Sequence, residues 1–339
     1  MACCLFSSFR QINLNYGKRL TEKFINDIIK NEQKKGENAK MTDFYFDSFD
    51  GKKIFVREWL PTCAPVGVVQ IVHGMAEHSG RYDALGKYLA ESGFVVFADD
   101  HRAHGNTDKD TLGYCDGDVW GDTLRDLQLL NKLYRQKYDG LNYTVFGHSY
   151  GSFLTQRYMQ IADDSLYDGV ILSGSAQMQG AQVGLGRIVA SLGKPTEPSY
   201  TIKKLSFDAY NKKFDSGDFI SSIPAESQRY AQDGMCGYVC SNNFYKCFFG
   251  GLKGMYGKSN LAKLNLDKPV LIMSGDKDPV GEFGKSVKKL YGTYKKQGVK
   301  NLYLRLFENN RHEVLNDLSA EQAKKLIADF ARNLTLAQR

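Results

Sequence analysis

The stretch LNYTVFGHSYGSFL (residues 141–154) constrains the fold of this chain more than any other. An apolar run ends at Gly147, a serine follows two residues later, and a helical pattern resumes at once past Gly151. A strand that turns directly into a helix leaves little room at the corner. Glycines on either side remove the Cβ atoms that would collide there. The serine between them is lifted proud of the C-terminal edge of a sheet, beside the free N–H groups and positive dipole of a helix N-terminus. A nucleophilic serine requires that setting, so Ser149 is the candidate nucleophile and the Tyr150 N–H a candidate oxyanion donor. The competing reading is a chance G-x-S-x-G in a chain with 33 glycines.

The surrounding pattern supplies the sheet. From Met41 onward, short apolar runs (VGVVQIVHG, FVVFADDH, NYTVFGHS, DGVILSGS) alternate with amphipathic segments such as DVWGDTLRDLQLLNKLYRQKY. Alternation of this kind predicts a mostly parallel, doubly wound α/β sheet with helices on both faces. TDFYFDSFDGKKIFVREWL opens it as a hairpin, with Asp50-Gly51 as a two-residue turn. The alternation stops after Ser175. Residues 176–266 are rich in Gly, Ser and aromatic side chains, and KPVLIMSGDKDP resumes the sheet. The expected organisation is therefore an N-terminal extension over 1–40, a first core segment over 41–175, an inserted cap over 176–266 and a second core segment over 267–339. Ser319 and Gln322 have capping-box spacing ahead of the last helix.

Composition excludes several classes. The net charge is +7, and residues 1–40 carry eight Lys/Arg against four acids, so the remainder is close to neutral. No basic cluster interleaved with aromatics points to nucleic acid. No run of eighteen apolar residues points to a membrane span. The seven cysteines are odd in number and irregularly spaced, which argues for a reducing compartment and a cytoplasmic location. Cys236, Cys240 and Cys247 lack a C-x2-C pair or a nearby histidine, so no metal is expected there. In the extension, Leu20, Phe24, Ile25, Ile28 and Ile29 form an amphipathic stripe. It suits a packing helix or peripheral membrane contact with acylation of Cys3 or Cys4, and Met41 offers an alternative start.

A serine nucleophile needs a base and an acid, in the chain order Ser, acid, His. Of the six histidines (73, 78, 101, 104, 148 and 312) only His312 follows Ser149, in the loop NNRHEVLND. The loop SGDKDP offers two acids, Asp276 and Asp278. The second oxyanion donor is expected after an early strand, at the Met75 N–H in QIVHGMAEHSGRY. His73, His78, His101 and His104 invite a metal reading. Ester cleavage by serine needs no metal, and hydrogen bonding between two loops is the plainer role.

Together VHGMAEHSGRY, ADDHRAHG, FGHSYGS, SGDKDPV and RHEVLND resemble the monoacylglycerol lipase/lysophospholipase branch of the α/β-hydrolases, also labelled serine aminopeptidase-like, over about residues 42–335. The resemblance implies an α/β-hydrolase fold with a cap, Ser149 as nucleophile, Asp278 and His312 as partners, Met75 and Tyr150 as oxyanion donors, and no cofactor. It implies cleavage of a single-chain lipid ester. Pro279 also favours Asp278 over Asp276, because it stiffens the loop and biases the preceding residue toward an extended conformation. One departure is Ala103, where the family pattern D-H-R-G-H-G has glycine. The cap aromatics Tyr230, Tyr238, Phe244, Phe248 and Phe249 suit either an acyl channel or a small core of their own. The rival functions are a serine aminopeptidase and a non-enzymatic scaffold with a vestigial triad.

Overall fold

The computed structural model describes residues 39–336. The 20–29 stripe, Cys3 and Cys4 lie outside them. Eight strands form one sheet in the order β1-β2-β4-β3-β5-β6-β7-β8. β1 (Lys40–Asp47) and β2 (Lys53–Leu60) are antiparallel, and β2 is antiparallel to β4 (Phe94–Asp99). β3 (Gly67–Val72), β4, β5 (Tyr143–His148), β6 (Gly169–Ser173), β7 (Val270–Gly275) and β8 (Leu302–Phe307) run parallel. The Asp50-Gly51 pair closes a longer turn than its sequence suggests. Ser48 N–H donates to the Lys52 carbonyl (2.9 Å), leaving a three-residue loop with Gly51 in the left-handed region at φ 80°.

Helices α1 (Asp83–Glu91), α2 (Val119–Lys137) and α3 (Tyr150–Ile161) follow β3, β4 and β5. Between β6 and β7 the chain runs through α4 (Ala181–Leu192), α5 (Tyr200–Leu205), α6 (Phe207–Asn211), α7 (Pro224–Gln232), α8 (Asn242–Leu252) and α9 (Lys258–Leu261). α10 (Lys285–Gln297) follows β7, and α11 (Ala320–Leu336) follows β8. Period-two alternation along the strands builds cores on both faces of the sheet. Val170, Leu172, Val270 and Ile272 pack on the side of α2, α3 and α10. Ile171, Leu271 and Met273 pack with α1 and α11 on the other. Every residue of β3 to β7 is buried, as strands covered on both faces must be.

The segment without a strand–helix period joins the first of these cores. Val183, Phe244, Phe248 and Leu252 lie in the same apolar cluster as Trp120 and Tyr150. A Cβ on Gly251 would sit 2.2 Å from the Trp120 ring, so α8 is pressed directly onto α2.

Two local expectations resolve differently. The Ser319–Gln322 capping box does not form, because Asn310 takes both groups: its Nδ2 donates to Ser319 Oγ (2.9 Å) and its Oδ1 accepts the Ser319 N–H (2.9 Å). Ala103 keeps the left-handed conformation usual for glycine, at φ 65°. Its N–H donates to Asp108 (2.7 Å), and its carbonyl accepts from Gly113 N–H (2.8 Å) and the Tyr238 hydroxyl (3.1 Å), so the turn is held from both sides.

β3 lies between β4 and β5, so the winding reverses there and a crevice opens beyond the C-terminal ends of β3 and β5. The two elements flanking it approach closely. A Cβ on Gly151 would lie 2.0 Å from the Val72 carbonyl oxygen and 2.4 Å from that of His73. Backbone atoms cannot yield as a flexible side chain can. Gly151→Ala is therefore expected to cost about 3 kcal/mol of stability. Gly184→Ala, in α4 with nothing within 4 Å of the new atom, should gain about 0.5–1 kcal/mol. Urea unfolding of both variants checks the contrast; an unmoved midpoint for Gly151→Ala would contradict the close approach.

Candidate active site

β5 delivers Ser149 to the crevice with φ 51° and ψ −119°, a backbone region that side-chain-bearing residues rarely adopt. Neighbouring main chain holds it there: Ser149 N–H donates to the Ser173 carbonyl (2.9 Å), and its own carbonyl accepts from Ser152 N–H (2.8 Å). His312, on the loop between β8 and α11, places Nε2 2.8 Å from Ser149 Oγ. Its Nδ1 lies 3.0 Å from Asp278 Oδ2. That contact is close but poorly aligned with the ring N–H, a geometry common in active sites without substrate. Asp278 is fully buried, and its carboxylate also accepts from Ser274 Oγ (3.0 Å) and Val280 N–H (2.9 Å). Asp276 does not join this group: its carboxylate pairs with Lys277 at 3.3 Å.

Burial opposes the charged form of both partners, but their mutual attraction prevails. Desolvation works against a His312 imidazolium, and the charge and hydrogen bonding of Asp278 hold it above its ordinary value. Desolvation likewise works against the Asp278 carboxylate, and His312, Val280 N–H and Ser274 hold it below its ordinary value. Such an arrangement can take a proton from a hydroxyl and stabilise the resulting imidazolium.

The main-chain N–H of Met75 follows β3, and that of Tyr150 is the first of α3. Neither donates a hydrogen bond to any described residue, as expected of the first N–H of a helix. Met75, Ser149, Tyr150 and His312 all line a cavity of about 340 Å³. Phe248 and Phe249 line that same cavity, Tyr230 and Tyr238 line a neighbouring one, and Phe244 is packed in the core. The insertion's aromatics thus divide between cavity walls and the core shared with α2 and α3, rather than forming a small core of their own.

An ion-pair network behind the loops escaped the sequence reading. Arg81 contacts Glu77 at 3.0 Å and grips Glu313 with both guanidinium nitrogens, at 2.5 and 2.8 Å. Glu77 in turn accepts the Gly74 N–H and the Tyr82 hydroxyl. Glu313 adjoins His312, and although burial disfavours its charge, Arg81 pulls its pKa down to about 2. Glu77 and Arg81 at i, i+4 were visible in the sequence; the pairing with a residue 232 positions away was not. The insertion reaches the same loop. The Ala76 carbonyl accepts from Gly237 N–H (2.9 Å) and from the Tyr230 hydroxyl (3.0 Å).

The early histidines serve the loops. His73 Nε2 accepts the His101 N–H (3.0 Å), the two rings stack at 3.8 Å, and His101 Nδ1 pairs with Asp99 at 2.7 Å. Burial lowers His73 well below its ordinary value and His104 to about 3. His78 instead crosses to the insertion, with Nε2 2.9 Å from Asp233 and Cys236 beside them. These three carry metal-ligating atoms, a grouping not foreseen because the sequence reading set His78 with the other early histidines and Cys236 with Cys240 and Cys247, and did not single out Asp233. The Gly80 N–H points at His78 Nδ1 (3.2 Å), which assigns the ring proton to Nε2, facing Asp233. A cation would have to displace that proton while keeping company with Arg81, so the donor set fits a hydrogen bond better than a metal.

The sheet topology, the serine at the strand–helix corner and the histidine returning after the last strand define an α/β-hydrolase. The chain belongs to the serine aminopeptidase, S33 family, whose model matches residues 64–319. An uncharacterized abhydrolase domain-containing protein of Dictyostelium discoideum is 26% identical over 292 residues, covering 84% of this chain. This chain spans 28% of that protein's length. A monoacylglycerol lipase of Mycolicibacterium smegmatis is 26% identical over 297 residues, covering 86% of this chain and 96% of that one. Among solved structures, a thermostable carboxyl esterase from Bacillus coagulans, in complex with glycerol, matches with a TM-score of 0.79 at 26% identity, over 87% of this chain and 99% of that chain.

The ion pair makes His312 a reporter. In an NMR titration its ring should have a midpoint above the ordinary 6.5. In Asp278→Asn the midpoint should fall, because the largest influence opposing burial is then gone and only Glu313 and Glu77 still favour the imidazolium. A midpoint unchanged by the substitution would show that Asp278 does not govern the histidine.

Proposed function

We propose that the protein is a carboxylic ester hydrolase acting on single-chain lipids, with Ser149 as nucleophile, His312 as general base and acid, and Asp278 as the acid that orients and stabilises His312. The observation that carries this reading is the continuous Ser149–His312–Asp278 line opening onto an apolar cavity. Ser149 Oγ attacks the ester carbonyl carbon while its proton passes to His312 Nε2. The tetrahedral oxyanion is received by the Met75 and Tyr150 N–H groups. Collapse breaks the bond to the alcohol, which leaves with the proton from His312 and gives an acyl-enzyme. Water, deprotonated by His312, then releases the fatty acid and restores Ser149. No step calls on a cofactor.

The lipid assignment rests on the insertion, which we take as the cap, over 176–266. Phe153, Ile202, Phe248 and Phe249 give the cavity apolar walls suited to an acyl chain. Leu185 and Leu205 line it too, and both are more than half exposed. With Ile188 and Leu192 they form an apolar rim on α4 and α5. A rim of this kind favours contact with a lipid surface. No described helix is long and apolar enough to cross a membrane.

Kinetics on a soluble ester test the assignment. Ser149→Ala should abolish turnover and fluorophosphonate labelling. Asp278→Asn should lower kcat by about 10³–10⁴, and Asp276→Asn should cost far less. Full activity in Ser149→Ala, or the reverse order of the two aspartates, would overturn it. A second measurement addresses the acyl side. Phe248→Ala and Phe249→Ala should change the ratio of kcat/KM between long and short acyl esters by about tenfold. An equal loss at every chain length would give those rings a purely structural role.

A further inference from the structure

Ester cleavage at Ser149 would release a carboxylate into a cavity with no cation to receive it. The lining there contains no lysine, arginine, aspartate or glutamate. An anion left among apolar walls loses hydration and gains no partner in return. Cations stand on the other flank of α4. A further cavity, of about 400 Å³, shares Phe249 with the first. α4 gives Leu185, Gly186 and Val189 to the cavity at Ser149, and Val183, Gly184 and Arg187 to this one. The chain crosses from one lining to the other between Met178 and Gln179. A Cβ on Gly186 would lie 2.5 Å from the Phe249 ring, so α4 is seated directly on the side chain that both cavities have in common.

The charged residues of this further lining are Arg187 and Lys253, and no acid is among them. Neither side chain forms an ion pair or a hydrogen bond with a described residue. Val183, Leu252 and Phe249 supply apolar walls, the first two of them buried. Gly184 and Gly254 keep the space open, since no atom lies within 4 Å of a Cβ built on either. Two unpaired cations beside apolar walls suit an anion that carries a hydrocarbon chain. The reaction proposed above makes such an anion on the other side of Phe249. We propose that this chamber is a second ligand site, which takes the free fatty acid after its release, with the carboxylate at Arg187 and Lys253 and the chain along Val183, Leu252 and Phe249. Product held there leaves the cavity at Ser149 clear for the next ester. The inference rests on the reading of Ser149 as the nucleophile of a lipid esterase and adds to it a site for the acid product.

The test uses the full chain with Ser149 labelled by a decyl fluorophosphonate, whose alkyl group fills the first cavity, and titrates it calorimetrically with decanoate, decanol and inorganic phosphate. Labelled protein should still bind a single decanoate, and should bind decanol and phosphate more weakly by about tenfold or more, since one lacks the charge and the other the chain. Arg187→Gln and Lys253→Gln should each weaken decanoate by about fivefold, as expected for exposed cations. Before labelling, both variants should turn over p-nitrophenyl acetate within about twofold of the unsubstituted chain, which reports an intact fold and reacting centre. No decanoate bound after labelling, decanol bound as tightly as decanoate, or variants that bind decanoate undiminished would overturn the second site while leaving the esterase reading in place. Phosphate bound as tightly as decanoate would assign the two cations to a phosphate group and overturn the fatty-acid proposal. Failure of Ser149 to take the label would overturn the reading of the nucleophile instead. The same titration of the unlabelled chain, through its dependence on Arg187 and Lys253, would then still decide the chamber.

Discussion

A guanidinium buried between two carboxylates is tolerable only while both partners stay in place; removing either leaves an uncompensated charge at a cost of about 3–5 kcal/mol. Arg81 is such a group, with about a tenth of its side chain exposed and Glu77 and Glu313 still less. Each carboxylate is attached to a different half of the site. Glu77 fixes the main chain at Gly74, just before Met75, and Glu313 is the next residue after His312. A single ion triad therefore sets the distance between the candidate oxyanion loop and the loop of the candidate base, although those loops come from opposite ends of the chain. Its guanidinium also lies 4.8 Å from the Tyr230 ring, which adds the insertion to the same anchor.

The division between what the sequence displayed and what it concealed follows the range of the interactions. The corner at Ser149 is a local matter. Glycine spacing, an apolar run and a helical pattern within fourteen residues sufficed to find it, as did the chain order that singled out His312. The sheet was legible for the same reason, since buried parallel strands read as short apolar runs. The insertion was visible only as a break in that pattern; its internal structure was not legible, because its helices carry no strand–helix alternation and their apolar residues split between a shared core and two cavity walls. Phe244 and Phe248 illustrate the problem: four residues apart on α8, one is pure core and the other also lines the cavity. Asn310 shows the same limit at small scale. Ser319 and Gln322 have the right spacing for a cap, yet a residue nine positions upstream reaches Ser319 first.

The strained conformation of Ser149 and the left-handed Ala103 are held in the same way. Both are backbone conformations that cost free energy on their own, and both sit within hydrogen-bond webs that over-determine them. The α3 N-terminus cannot relax away from β3 without moving Gly151, and the Ala103 turn is tied to Asp108, Gly113 and Tyr238. Rigidity beneath the site contrasts with the exposed apolar rim of α4 and α5 above it.

The two donors on the Ala76 carbonyl bear on how such a protein could be re-engineered. Gly237 and Tyr230 satisfy an acceptor next to Met75 that would otherwise face water or nothing. The insertion is consequently not an interchangeable part. A chimera that kept the sheet and substituted another chain between β6 and β7 would strip both donors from that peptide and loosen the turn at Met75, even if the new segment folded well. A transplantable boundary would have to carry residues 74–82 along with the insertion, so the unit of inheritance here is discontinuous in the sequence.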